Sequence, residues 1–211
     1  MTAPVAWPSL KRSLVAILRG LKPEETAETV AALVEAGFEA IEIPLNSPDP
    51  FHSIRIAADS APHGVLVGAG TVLDSENVDR LADAGGRLMV SPNVDPDVIR
   101  RAGDHKMVSM PGVFTPTEAL RAVRAGASGL KFFPAFVLGP AGIAAIRAVL
   151  PPDIEIGAVG GVSHEDYGDY KAVGVRTFGL GSSLYKPGMK VEEIARRAKQ
   201  SVAVYDQVFG D

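Results

Sequence analysis

The sequence predicts an α/β fold in which eight strands, with helices between them and after the last, close into a (β/α)8 TIM barrel, one domain over residues 1–211. Three observations carry this. Five times a helical stretch ends in a small residue plus glycine and is followed at once by a short apolar strand. Three further apolar runs bring the strand count to eight. Strands that alternate with helices pair in parallel, and eight such units close on themselves. The other candidate, an open doubly wound sheet, lacks a Gly-x-Gly-x-x-Gly after its first strand.

Taken in order, Leu14-Val15-Ala16-Ile17-Leu18 is the first strand, running out at Arg19-Gly20. Val30, Leu33 and Val34 then recur at helical spacing, as a face packed on a sheet requires. Ala36-Gly37 ends that helix, since glycine tolerates the left-handed conformation just past a C-terminus. Ala40-Ile41-Glu42-Ile43 is the second strand, followed by Pro44-Leu45-Asn46 and by Ser47-Pro48, which resembles an N-cap. The third strand, Val65-Leu66-Val67, leads into Gly68-Ala69-Gly70-Thr71, and Asp74-Ser75-Glu76 caps the next helix. Ala84-Gly85 precedes the fourth strand, 87–90, which ends at Ser91-Pro92-Asn93. Ala102-Gly103 precedes the fifth, 107–110, which ends at Pro111-Gly112. Thr115-Pro116-Thr117-Glu118 is a capping box with proline at the first helical position. Ala125-Gly126 precedes the sixth strand, 129–132; Ile154-Glu155-Ile156 is the seventh and reaches Gly160-Gly161. Val173-Gly174 precedes the eighth, 175–178, which runs into Gly179-Leu180-Gly181-Ser182.

Composition narrows the function. The chain has 211 residues, 46% hydrophobic and 22% charged, ordinary for a protein with a sizeable core. A formal net charge of -4 offers no nucleic-acid or anionic-membrane surface. With no cysteine, disulfides, thiolate metal sites and a cysteine nucleophile are excluded, and a reducing, cytoplasmic setting fits. Residues 1–10 show no basic start followed by an apolar run, and no stretch is long enough for a membrane span. His52, His63, His105 and His164 form no close pair, so no metal site is expected. Trp7, the only tryptophan, is expected to anchor the N-terminal segment against the barrel.

A barrel works at the C-terminal ends of its strands, where glycine, proline and polar residues gather here. Two ionisable residues stand inside otherwise apolar strands: Glu42 between Ile41 and Ile43, and Lys131 between Leu130 and Phe132. If their apolar neighbours face the helices, strand alternation turns both into the barrel. Burial favours the neutral amine of a lysine, a nucleophile toward carbonyls, and a carboxylate beside it can move protons. The bland alternatives are a lysine that snorkels to solvent and a structural Glu–Lys pair. Gly160, Gly161 and Ser182 lie in the seventh and eighth loops, where this fold holds phosphate on backbone N–H groups. Thr71 faces them across the mouth. The Arg19 guanidinium suits a carboxylate or phosphate.

These segments together resemble the class I pyruvate-dependent aldolases that cleave 2-keto-3-deoxy-6-phospho sugar acids. The resemblance runs from about residue 14 to 187. It rests on residues 40–48 (AIEIPLNSP), 67–73 (VGAGTVL), 91–93 (SPN), 110–120 (MPGVFTPTEAL), 131–135 (KFFPA), 158–162 (AVGGV) and 179–188 (GLGSSLYKPG). It implies a Schiff base at Lys131, proton transfer by Glu42, a pyruvate end lined by Arg19, Thr71 and Pro92, and phosphate held by Gly160, Gly161 and Ser182. It also implies no cofactor, pyruvate as one product, and a homotrimer. The phosphogluconate branch of that family usually has an arginine where this chain has Asn46, and residues 44–48 and 158–161 resemble the phosphogalactonate branch instead. The rival enzyme class is a phosphate-binding barrel isomerase or epimerase in which Lys131 is only electrostatic.

Overall fold

The computed structural model describes residues 4–210; residues 1–3, where the segment read for a leader begins, and residue 211 lie outside the described residues. Short apolar runs form one parallel sheet: β1 (Leu14–Ile17), β2 (Ala40–Pro44), β3 (Leu66–Gly70), β4 (Leu88–Val90), β5 (Val108–Met110), β6 (Gly112–Val113), β7 (Gly129–Phe132), β8 (Glu155–Val159) and β9 (Thr177–Leu180). Their order is β5-β4-β3-β2-β1-β9-β8-β7-β6.

Nine strands occupy the eight expected barrel positions because the fifth is broken in two. Pro111 separates β5 from β6, and proline has no N–H for a ladder. Its carbonyl still accepts from the Lys131 N–H at 2.9 Å, and the Ser109 carbonyl accepts from the Ser128 N–H at 3.0 Å. The two ends of the strand order therefore meet at one chain segment, and the sheet closes.

The helices on the outside are α1 (Pro23–Ala36), α2 (Pro50–Ser60), α3 (Ser75–Asp83), α4 (Pro96–Asp104), α5 (Pro116–Ala125), α6 (Ala135–Arg147), α7 (Tyr167–Ala172) and α8 (Val191–Phe209). The predicted caps hold at Asp74, whose side chain accepts from the Asn77 N–H, and at Thr115–Glu118, a complete capping box. Two predicted boundaries are corrected. Ser47-Pro48 does not start α2: the Ser47 hydroxyl accepts from the Gly20 N–H at 2.9 Å, tying the loops after β1 and β2, and the helix begins at Pro50. Nor does Gly103 end α4, which runs through it to Asp104.

Alternation along the strands builds two cores. Ile41, Ile43, Leu130, Phe132 and Phe178 face the helices. Val15, Ala40, Leu66, Leu88, Val90, Val108 and Met110 fill the barrel interior, and Val5, Trp7 and Leu10 pack against them from the N-terminal side. Trp7 Nε1 donates to Ser13 Oγ at 3.4 Å, so the tryptophan does anchor this segment. Burying one such Val, Leu or Met contributes about 1.5–3 kcal/mol, so the N-terminal end of the barrel is closed by apolar packing. The opposite end, at the strands' C-termini, is left for chemistry.

Candidate active site

Glu42 and Lys131 point into the barrel, as alternation predicts. Ala40, two residues before Glu42, belongs to the interior cluster, whereas Ile41 and Ile43 belong to the outer one. Leu130 and Phe132, on either side of Lys131, are also in the outer cluster. Glu42 is 2% exposed and Lys131 6%. Glycines make the room. The register partners of Lys131 are Gly112 on β6 and Gly157 on β8. A Cβ on Gly70 would lie 1.7 Å from Glu42 Oε2, so no other residue there leaves the carboxylate in place. That requirement is not visible in the sequence, where Gly70 reads as part of a turn.

Burial sets the electrostatics of the pair. It pushes the Glu42 carboxyl up to about 7, against the opposing pull of Lys131 and then Arg19. It pushes the Lys131 ammonium down; Glu42 opposes this and Arg19 adds to it. Lys131 Nζ lies 4.8 Å from the centroid of the Phe133 ring. Among the described residues Glu42 Oε2 has no hydrogen-bond partner, an acceptor held ready in a buried place. An amine biased toward neutrality beside a carboxyl that titrates near neutral pH can form an imine and shuttle its protons.

Both groups open into a cavity of about 570 Å³ at the C-terminal mouth, with Arg19, Gly160, Gly161 and Ser182 on its wall. Thr71 and Pro92 follow β3 and β4 at this same end but do not line the cavity. Pro92 instead packs on β6: a Cβ on Gly112 would lie 2.4 Å from its carbonyl oxygen. Arg19 Nη1 donates to Asn46 Oδ1 at 2.5 Å, so the residue that marks a family branch also aims the guanidinium. Sequence reasoning did not foresee that contact, which joins two loops 27 residues apart.

The far end of the cavity is built of backbone. Gly160 and Gly161 both have positive φ, 91° and 70°. A side chain at Gly161 has no room, since its Cβ would lie 2.8 Å from Phe136 Cβ. The N–H groups of Gly160, Gly161, Ser182 and Ser183 donate to no acceptor among the described residues, and all four residues line the cavity. Unpaired amides converging on an opening suit an anion. Ser183 and Lys186 also lie on the wall and were not singled out in the sequence. No group of three or more His, Cys, Asp or Glu among the described residues can hold a metal ion.

Fold and site together define a (β/α)8 barrel enzyme with a buried amine–carboxyl pair at its mouth. A family model described as KDPG and KHG aldolase matches residues 9–200, and the chain belongs to that family, whose members are aldolases and hence carbon–carbon lyases. It is 66% identical over 206 residues to a "Probable 2-dehydro-3-deoxy-6-phosphogalactonate aldolase" of Rhizobium meliloti (strain 1021), covering 98% of this chain and 97% of the relative. It is 47% identical over 195 residues to the 2-dehydro-3-deoxy-6-phosphogalactonate aldolase of Escherichia coli (strain K12), covering 92% and 95%. A solved structure described as "Native KDPGal structure" superposes with a TM-score of 0.93 at 46% identity, covering 96% of this chain and 98% of that one.

Proposed function

We propose that this chain is a class I aldolase that cleaves 2-dehydro-3-deoxy-6-phospho-D-galactonate to pyruvate and D-glyceraldehyde 3-phosphate, in galactonate catabolism in the cytoplasm. The observation that carries the reading is the buried Lys131 amine beside Glu42 at the open end of the barrel. The Lys131 amine attacks the C2 ketone, and the Glu42 carboxyl gives its proton to the departing hydroxyl, so that water leaves and a protonated imine remains. Glu42 takes the proton of the C4 hydroxyl, directly or through water, as the C3–C4 bond breaks. The bonding pair moves into the imine, leaving an enamine, and the aldehyde departs. Protonation at C3 and hydrolysis then release pyruvate and restore the amine. The imine is the electron sink, so the scheme needs no cofactor.

Arg19, aimed by Asn46, meets the substrate carboxylate. Gly160, Gly161 and Ser182 receive the phosphate. Thr71 and Pro92, after β3 and β4 at the same end of the barrel, belong to the pyruvate end. Relatives named for the phosphogalactonate substrate, at 66% and 47% identity, support the choice of sugar acid. The working assembly is a homotrimer.

Borohydride tests the mechanism. Incubation with pyruvate and borohydride is expected to add one reduced pyruvate to the peptide carrying Lys131. An unmodified Lys131 peptide would remove the Schiff base from the reading. Cleavage of the C4 epimers, measured side by side, is expected to favour the galactonate; faster cleavage of the gluconate would move the enzyme to the sister activity.

A further inference from the structure

The anion site is made of backbone amides, and such a site is only as good as the aim of its peptide planes. Behind the loop after β9, outside the cavity, a side chain on α8 grips that backbone. Arg197 Nη1 donates to the Ser183 carbonyl at 3.2 Å and to the Ser182 carbonyl at 3.5 Å. Its Nε donates to Glu193 Oε1 at 2.7 Å, one helical turn earlier. Glu193 is itself held by Arg196 through two bonds of 2.8 Å. These bonds with Arg196 and Arg197 hold the Glu193 carboxyl down to about 2, so it stays an anion and keeps the guanidinium oriented at any working pH. On the other side of the turn, the Gly181 carbonyl accepts from the Leu184 and Tyr185 N–H groups, each at 2.9 Å.

A trans peptide is planar, with its carbonyl and N–H pointing opposite ways. Turning the Ser182 carbonyl toward α8 therefore turns the Ser183 N–H away from it. That N–H is one of the four unpaired amides, and its residue lines the cavity.

We propose that Arg197, steadied by Glu193, is a positioning residue for phosphate recognition: it holds the Ser182 and Ser183 carbonyls on the helix side and so keeps the loop's amides aimed at a phosphate dianion that it never touches. The proposal rests on reading this loop as the phosphate site. A structural staple between α8 and the loop would make the same bonds, but its loss would not distinguish substrates by their phosphate.

The test compares the wild type with Arg197→Met, Arg197→Lys and Glu193→Gln on the phosphorylated 2-keto-3-deoxy sugar acid and on the same acid without phosphate. Arg197→Met keeps the apolar stem and removes the donors. It is expected to raise KM for the phosphorylated substrate about tenfold with kcat nearly unchanged, and to leave kcat/KM on the unphosphorylated acid untouched. Inhibition by inorganic phosphate should weaken by a similar factor. Arg197→Lys should restore part of the preference, and Glu193→Gln should lose part of it; these two carry the test if Arg197→Met does not fold. A wild type indifferent to the phosphate would overturn the phosphate site and this proposal together. A wild type that prefers phosphate, with variants that keep the preference or lose both substrates equally, would overturn the positioning role alone.

Discussion

At the scale of single residues, the active pair is a case of desolvation winning over attraction. Glu42 and Lys131 oppose each other's shifts, yet burial dominates both. The folded protein holds the Glu42 proton more tightly than the unfolded chain, in which the group titrates near its ordinary 4.5. The stabilisation that this proton provides is fully present below 4.5 and is lost as pH rises through about 7. Glu42→Gln, close in shape to the protonated acid, should therefore be more stable than the wild type at pH 8, on the order of 1–3 kcal/mol, with the gap closing toward pH 5. Urea unfolding at the two pH values measures it. The same variant should turn over roughly 10²–10⁴-fold more slowly for want of a proton acceptor. A variant less stable than the wild type at pH 8 would mean that the carboxylate serves chiefly as an ion-pair partner for Lys131. Both residues were legible because each breaks an apolar strand. Asn46 stood out only as a mark of the family branch, and neither its bond to Arg19 nor the role of Arg197 was legible, because a polar loop residue and a charged residue on an amphipathic helix look ordinary until their partners are seen.

Among the elements, local chemistry was read well where it is self-contained and poorly where a distant partner competes. Thr115 and Glu118 satisfy each other within one turn, so the start of α5 was plain: Glu118 Oε2 accepts from the Phe114 and Thr115 N–H groups at 2.8 Å, and Thr115 Oγ1 accepts from the Glu118 N–H. Ser47 has the same capping chemistry, but its hydroxyl is taken by Gly20 from the preceding loop, and the helix starts three residues later. The split of the fifth strand was likewise hidden, since the effect of Pro111 depends on which neighbour needs its missing N–H. Thr115→Ala isolates the local term. It should cost about 1 kcal/mol in urea unfolding, the ordinary value of an N-cap, and leave cleavage kinetics unchanged. Removing Glu118 as well should cost less than the sum of the two single losses, because both belong to one reciprocal contact.

For the whole molecule, barrel closure was legible from the repeat, whereas assembly came only through resemblance to a family. The structure shows where the apolar surface lies. Leu73 follows β3, Phe114 follows β6, and Phe136 and Val137 open α6, so these exposed side chains sit on the side of the mouth, whereas Val149, after α6, is exposed at the other end. Phe136 is 67% and Val137 57% exposed, more than their residue types ordinarily leave to water when neighbours are at hand. Contact between copies around this rim would cover them and bring the subunits together near the cavities, which ties the proposed homotrimer to the working end of the barrel. Leu73→Glu combined with Val137→Glu places charge on that rim while sparing Phe136, whose ring packs under Gly161. Sedimentation velocity should then show trimers for the wild type and monomers for the double variant at micromolar concentration. A wild type that sediments as a monomer, or a double variant that stays trimeric, would place the interface elsewhere or remove it. Pyruvate trapping at Lys131 should survive dissociation, because the amine, the carboxyl and the cavity that joins them all come from one chain.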